Sequence, residues 1–188
     1  MSWTRPATAD TPDTSALYER IRSNSSRGAI SHVWQALGAD PAALEASYSH
    51  YRALMADPAP LTTAQAELVA LVVSATNGCG YCVAHHGPRL WRALGDEALA
   101  RAVARDYREA NLTAQDRVLL DYAVALTCEP AERKLEDIER IREYGFDDRA
   151  IVRATAITGY YNHINRVVSA LGVELEAAIE PWEFGTQK

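Results

Sequence analysis

The chain has 188 residues, of which 48% are hydrophobic and 23% are charged. This composition is that of an ordinary globular protein, so it excludes a disordered or fibrous chain, and the length allows one domain with a substantial core. The net charge of −6 argues against nucleic acid or an anionic membrane surface as a partner.

The N-terminal segment, residues 1–15, is rich in Thr, Pro, Ser and Asp and contains no apolar core of a signal peptide. It predicts a flexible N-terminal arm, followed by a helical domain at 16–188. The longest apolar run, at 68–73, is too short to cross a membrane. We therefore expect a cytoplasmic protein that has no membrane partner.

From Thr14 onward, apolar residues recur at steps of three and four, which predicts an all-α fold. Clusters of Gly, Pro, Asn and Asp separate the predicted helices. Two helix starts carry the pattern of a capping box, in which Thr62 precedes Gln65 and Thr113 precedes Asp116 by three residues.

The helix predicted after Thr62 contains one charged residue, Glu67, among Ala, Leu and Val residues. A helix that is apolar on nearly every face is expected to be buried on nearly every face. Two interpretations of Glu67 remain open at this point. It is either a first-turn carboxylate that complements the helix dipole, or a partly buried carboxylate whose desolvation is offset by a specific partner.

The reactive side chains concentrate in the segment Cys-Gly-Tyr-Cys-Val-Ala-His-His at 79–86. If this segment begins a helix, Cys79, Cys82 and His86 lie on one face, because they are separated by three and four residues. His85 lies at the edge of that face and Tyr81 points elsewhere, so both are secondary candidates. Because Pro88 disfavours helical geometry, we expect a kink or a break just after His86, with a separate or angled helix beyond it.

This arrangement favours thiol redox chemistry. The positive end of a helix and a nearby imidazole together lower a cysteine pKa from ~8.5 to roughly 3.5–7.5. A peroxide would then oxidise one thiolate to a sulfenic acid, which the other thiol would convert to a disulfide. Proximity to His86 favours Cys82 as the attacking sulfur, whereas the helix dipole favours Cys79.

Three other uses of the same residues stay open. Two cysteines and His86 are a plausible set of three zinc ligands, but only Glu67 or His163 is available as a fourth. The cysteine pair also fits a non-enzymatic thiol–disulfide adaptor or redox sensor. A helical oligomeric scaffold, finally, would not depend on the cysteines at all.

Glu67, Cys79, Cys82 and His86 fit the pattern E-x11-C-x2-C-x3-H, which resembles that of the alkyl hydroperoxidase D (AhpD)-like proteins in the carboxymuconolactone decarboxylase superfamily. The resemblance is sharpest at 61–88, where the segment that contains both cysteines is similar to the peroxidase-related branch. A looser likeness extends over most of the chain beyond the N-terminal arm.

The resemblance implies an all-helical fold that assembles as a dimer, trimer or hexamer. It implies that Cys82 takes the oxygen of a peroxide as a sulfenic acid, that Cys79 resolves it, and that His86 with Glu67 moves the proton. We therefore predict a thiol-dependent peroxidase for hydrogen or alkyl peroxides, with a dithiol or a protein as reductant and no cofactor or metal. Tyr81 departs from the family, whose best-known members have a histidine there, and a phenol is a poor proton shuttle at neutral pH.

The remaining reactive or aromatic residues are expected to be structural. We predict that Cys128 is a packed, inert thiol. Packing or a subunit contact is predicted for His163, Asn165 and Arg166. The two other histidines, His32 and His50, are expected to be structural or exposed, and the tail is expected to pack Trp182 and Phe184 against a neighbour or to fray.

Overall fold

The computed structural model describes residues 2–4 and 12–187, which form nine α-helices, one 3-10 turn and no β-strand. The predicted all-α fold is therefore confirmed. The helices are α1 (Pro12–Ser23), α2 (His32–Leu37), α3 (Pro41–Met55), α4 (Thr63–Thr76), α5 (Gly80–Leu94), α6 (Glu97–Asp106), α7 (Ala114–Cys128), α8 (Leu135–Glu143) and α9 (Asp148–Ala170), and the 3-10 turn is Pro130–Glu132.

Helix α4 lies at the centre of the fold, in contact with α5, α6, α7 and α9. Every residue from Gln65 to Thr76 is buried, as the uniformly apolar sequence predicted. Its start is fixed by a complete capping box, because the Thr62 hydroxyl accepts from the Gln65 amide and the Gln65 side chain accepts from the Thr62 amide, each at 3.1 Å.

A tight turn joins α4 to α5. Gly78 adopts a φ of +71°, which a side chain at this position would disfavour, and α5 then packs along α4. The side-chain amide of Asn77 donates to the side-chain oxygens of Asn162 and Asn165 on α9, at 3.1 and 3.0 Å. The turn that precedes the cysteine segment is thereby tied to a third helix.

Of the kink or break expected after His86, the break is wrong, because α5 runs through Pro88 to Leu94. Proline removes one helical hydrogen bond, which costs about 3 kcal/mol in a helix interior. Helix α5 packs against both α4 and α6, and the burial of its apolar face offsets that cost. The cysteines, the histidines and the residues beyond Pro88 therefore belong to one helix.

The C-terminal segment packs against the chain's own helices, so the expectation of a frayed tail is wrong. The Trp182 ring lies over Gly87, where an added Cβ would come within 2.3 Å of it. Gln187 is completely buried and bonds to the backbone of Val103, Ala104 and Tyr107.

At the other end of the chain, the Trp3 amide donates to the Leu171 carbonyl at 2.8 Å. Most of the arm predicted at 1–15 lies outside the described residues, and α1 begins within that range, at Pro12. In the part of the chain that the structure describes, no helix is both long enough and apolar enough to span a membrane.

Candidate active site

The two cysteines of the motif meet at the start of α5. Cys79 is the N-cap residue and Cys82 lies in the first turn. Their sulfurs are 2.8 Å apart, both residues are free thiols, and only 3% and 5% of their surfaces are exposed. The predicted helix start therefore brings the pair together, out of reach of bulk solvent.

The two sulfurs share one hydrogen bond, in which the Cys79 thiol donates to the Cys82 sulfur when both thiols are neutral. The bond to the Cys82 thiol lowers the pKa of Cys79, with a further contribution from the Asn165 amide. Burial, together with the bond to Cys79, raises the pKa of Cys82 well above its usual value. The first ionisation of the pair therefore places the negative charge on Cys79 and leaves the proton on Cys82.

Behind the cysteines, Glu67, His86 and Tyr161 form a buried chain of hydrogen bonds. His86 Nδ1 lies 2.6 Å from Glu67 Oε2, and His86 Nε2 lies 3.0 Å from the Tyr161 hydroxyl. Burial lowers the pKa of His86, although Glu67 opposes this shift. In the neutral form, Nδ1–H donates to Glu67, and Nε2 accepts from Tyr161, whose own pKa is raised by burial. Of the two interpretations of Glu67, the structure therefore agrees with the second, a buried carboxylate that has a specific partner, His86.

The neighbouring histidine, His85, belongs to a second polar cluster. Its Nε2 lies 2.9 Å from Glu176 Oε2, while the other oxygen of Glu176 accepts from the Tyr81 hydroxyl at 2.9 Å and from the His32 amide at 2.7 Å. The Tyr81 hydroxyl in turn accepts from the Val33 amide at 3.2 Å. Both secondary candidates are therefore tied to α2 and to the C-terminal segment.

A cavity of about 310 Å³ opens onto this site. Cys82, His85, His86 and Tyr161 line it, whereas Cys79 does not. A small molecule that entered the cavity would meet Cys82 first, with Cys79 behind it.

Comparison with known proteins places this geometry in a family. The model of the carboxymuconolactone decarboxylase family matches residues 41–123. An uncharacterized peroxidase-related protein from Silicibacter sp. TM1040 is 34% identical, with a TM-score of 0.84 over 92% of this chain and 90% of that one. The chain is an AhpD-like member of the carboxymuconolactone decarboxylase family.

Other solved structures share this AhpD-like fold. A second uncharacterized peroxidase-related protein, described as an alkylhydroperoxidase AhpD core and obtained from Ralstonia eutropha JMP134, is 29% identical with a TM-score of 0.86 over 94% of this chain and 93% of that one. The debrominase Bmp8, solved with 2,3,4-tribromopyrrole, is 20% identical with a TM-score of 0.77 over 93% and 91%. No curated protein sequence matches the chain. The fold therefore occurs both in peroxidase-related proteins and in a debrominase.

The motif of the AhpD-like family did not contain every residue of the site. Tyr161 and Asn165 lie four residues apart on α9, both are buried, and Asn165 also bonds to Ser74 at 3.2 Å. Packing or a subunit contact was expected for Asn165, and its amide in addition adjoins both sulfurs. Their spacing of four residues on an apolar helix was the only signal in the sequence.

Two other expectations concern reactive residues outside the AhpD-like motif. Cys128 is exposed at the end of α7, so the prediction of a packed thiol is wrong. His163, one of the possible fourth zinc ligands, is also exposed. Among the described residues, no three His, Cys, Asp or Glu side chains form a group that could hold a metal ion.

Proposed function

We propose that this AhpD-like protein reduces hydroperoxides through the Cys79–Cys82 pair. The observation that carries the proposal is the position of Cys82, which lines the cavity and has the Cys79 sulfur 2.8 Å away. A sulfur that meets the substrate, with a second sulfur within reach of it, is the arrangement needed to form a sulfenic acid and then a disulfide.

In the first step, Cys82 must lose its proton. Tyr161 and Cys82 both line the cavity, so we assign the transfer to Tyr161, which passes its own proton to His86 Nε2 as it receives that of Cys82. The Glu67 carboxylate stabilises the imidazolium that forms, as the carboxylate does in a catalytic triad. His86 is suited to act as the base because its lowered pKa keeps it neutral at pH 7.

The Cys82 thiolate then attacks the terminal oxygen of the hydroperoxide. The S–O bond forms as the O–O bond breaks, and the alkoxide takes the proton back from His86 through Tyr161. Cys79, whose pKa is lowered, attacks the sulfur of the sulfenic acid and displaces hydroxide. The two sulfurs supply both electrons, so a thiolate, a thiol and a hydroperoxide give a disulfide, an alcohol and hydroxide.

Turnover requires a dithiol that reduces this disulfide. Both cysteines are buried, and of the two only Cys82 lines the cavity. The reductant is therefore expected to be a small dithiol, or a slender group of a larger molecule, that enters the cavity. This burial disfavours the alternative of a thiol–disulfide adaptor, which must present a sulfur to another protein surface.

The test is the intact mass of the reduced protein before and after one equivalent of cumene hydroperoxide, followed by peptide mapping. A Cys128→Ser background removes the exposed thiol, which would otherwise react on its own. We expect the loss of two hydrogens, mapped to Cys79–Cys82, and a trapped sulfenic acid on Cys82 when Cys79 is replaced by Ser. If both thiols remained reduced, or if the sulfenic acid formed on Cys79 in the Cys82→Ser variant at an undiminished rate, the proposal would be wrong.

A further inference from the structure

The cavity beside Cys82 has a charge opposite to that of the whole chain. Four arginines line it, and none of its lining residues is Asp or Glu. The chain itself carries 25 acidic and 19 Lys or Arg residues. This concentration of positive charge in a concave site favours an anionic ligand. The four arginines are Arg27, Arg52, Arg89 and Arg92.

Arg89 is the arginine best placed to bind such a ligand. It is half-buried and donates from Nη1 to the Tyr51 hydroxyl, and its guanidinium lies 5.9 Å from the centre of the Tyr51 ring. In the part of the chain that the structure describes, it has no ion-pair partner among the carboxylates. A guanidinium has five N–H donors arranged as a fork that matches a carboxylate.

The spacing along α5 fixes where the two ends of a ligand would lie. Cys82 and Arg89 are seven residues apart, so they lie on the same face, roughly 10 Å apart along the helix axis. His86 lies between them on that face, and all three line the cavity. A molecule that reached from Cys82 to Arg89 would therefore be short and extended.

The walls between these ends are aromatic. Trp34 and Tyr48 pack edge to face with ring centres 5.3 Å apart, and so do Tyr160 and Tyr161. All four line the cavity, together with Ile21, Ile164 and Val168. Such walls favour a ligand whose middle part, between its two polar ends, is apolar or aromatic. The cavity of about 310 Å³ is at the small end of the range for ligand pockets, roughly 300–1,000 Å³, so the body must be compact.

We infer that the cavity selects compact organic hydroperoxides that carry a carboxylate, with the carboxylate on Arg89 and the hydroperoxide at Cys82. The hydroperoxide part of this inference rests on the proposed function. The carboxylate part rests on the charge of the cavity and can be tested without any redox chemistry.

The binding test uses 4-isopropylbenzoate and its methyl ester, which share a body and contain no peroxide. Isothermal titration calorimetry of the full-length protein is expected to give a dissociation constant at least tenfold lower for the carboxylate. Arg89→Gln is expected to abolish this preference, and Arg89→Lys, which keeps the charge, to retain part of it. Arg149→Gln is the matched control, because Arg149 is exposed and does not line the cavity.

Equal binding of acid and ester by the wild-type protein would overturn the inference, and so would a preference that survives in the Arg89→Gln variant. If Arg89→Gln lost its helical circular dichroism, the comparison would rest on Arg89→Lys. An undiminished preference for the acid in the Arg89→Lys variant would show that Arg89 contributes charge alone. It would overturn the assignment of the Arg89 guanidinium as a two-donor partner of the carboxylate.

The second test uses 4-carboxy-cumene hydroperoxide and its methyl ester, with stopped-flow measurement of thiol oxidation. We expect the acid to react at least tenfold faster at concentrations below saturation, and Arg89→Gln to remove this advantage by weakening binding. Oxidation of both compounds at equal rates would leave the proposed function in place and overturn the substrate preference. Tight binding of the benzoate without oxidation of the thiols by either hydroperoxide would support the carboxylate site and overturn the proposed function.

Discussion

Two neighbouring histidines of α5, His85 and His86, each pair with a carboxylate. The two carboxylates come from different parts of the chain. His86 meets Glu67, and both belong to long buried helices. His85 meets Glu176, which follows the last helix in a segment without regular structure. The first pair is sealed between helices, with side-chain exposures of 8% and 9%, whereas Glu176 in the second pair is 18% exposed.

The remaining partners separate the two pairs further. Glu67 bonds to His86, and the other nitrogen of His86 faces the Tyr161 hydroxyl in the cavity. Glu176 accepts three hydrogen bonds and so connects α5, the start of α2 and the C-terminal segment. We infer that the first pair moves a proton and that the second holds parts of the fold together.

The largest expected difference between the pairs is in reactivity. His86→Gln removes the base, so the rate of Cys79–Cys82 oxidation by cumene hydroperoxide should fall by about 10²–10⁴-fold, the usual contribution of general acid–base catalysis. His85→Gln should change this rate by less than a few-fold. Rapid quenching followed by counting of free thiols measures both rates. Equal losses in the two variants would remove the functional distinction between the pairs.

The second expected difference is in stability. Burial raises the pKa of Glu176, but hydrogen bonds from His85 and the His32 amide outweigh it and lower the pKa to about 2. A carboxylate with a lowered pKa stabilises the folded state at pH values above its unfolded pKa, here 4.5, and this contribution is lost as the pH falls from about 4.5 toward 2. Glu176→Gln should therefore lower the free energy of unfolding at pH 7 by about 2 kcal/mol, since it weakens charge-assisted bonds.

Urea denaturation at pH 7 and at pH 3 measures this contribution. The gap between wild type and Glu176→Gln should narrow at pH 3, because the unfolded Glu176, with a pKa of 4.5, is then protonated and must lose its proton when the chain folds. A gap that stayed constant with pH would show that the ion pair is not its source. The oxidation rate of the folded variant should remain close to that of the wild type.

The smallest expected difference concerns the two tyrosines that adjoin the pairs. Tyr161→Phe removes the hydroxyl that faces His86 Nε2, so the oxidation rate should fall about tenfold, because water in the cavity replaces the phenol imperfectly as a carrier of the proton. Tyr81→Phe removes a hydroxyl bonded to Glu176 and should instead lower the melting temperature, with little effect on rate. A larger decrease in the oxidation rate for Tyr81→Phe than for Tyr161→Phe would contradict the proton path through Tyr161.

The part of the site that lies in one short stretch of sequence could be predicted. Cys79, Cys82 and His86 share a helix, so spacing alone places them on one face. Glu67 could be singled out as the one charge in an apolar helix, but its pairing with His86 followed only from the family resemblance, because that contact joins two helices. The start of α5 follows Asn77 and Gly78, turn residues whose effect is local and can therefore be seen in the sequence.

The residues contributed by distant segments could not be predicted. Tyr161 and Asn165 reach the cysteines only through the packing of α9 against α4, and Glu176 reaches His85 across ninety-one residues of sequence. Of the kink or break predicted just after His86, the break was wrong for a related reason. A local rule disfavours proline in a helix, but contacts with α4, α6 and Trp182 stabilise the helix as a whole.

The contact between Gly87 and Trp182 restricts how this sequence can evolve. A methyl group at position 87 would come within 2.3 Å of the indole, so an alanine there is tolerated only if the ring moves or becomes smaller. The two positions are expected to change together among relatives, with a larger residue at 87 accompanied by a smaller one at 182. A C-terminal segment that looks dispensable in the sequence is in this way inherited together with the helix that carries the cysteines.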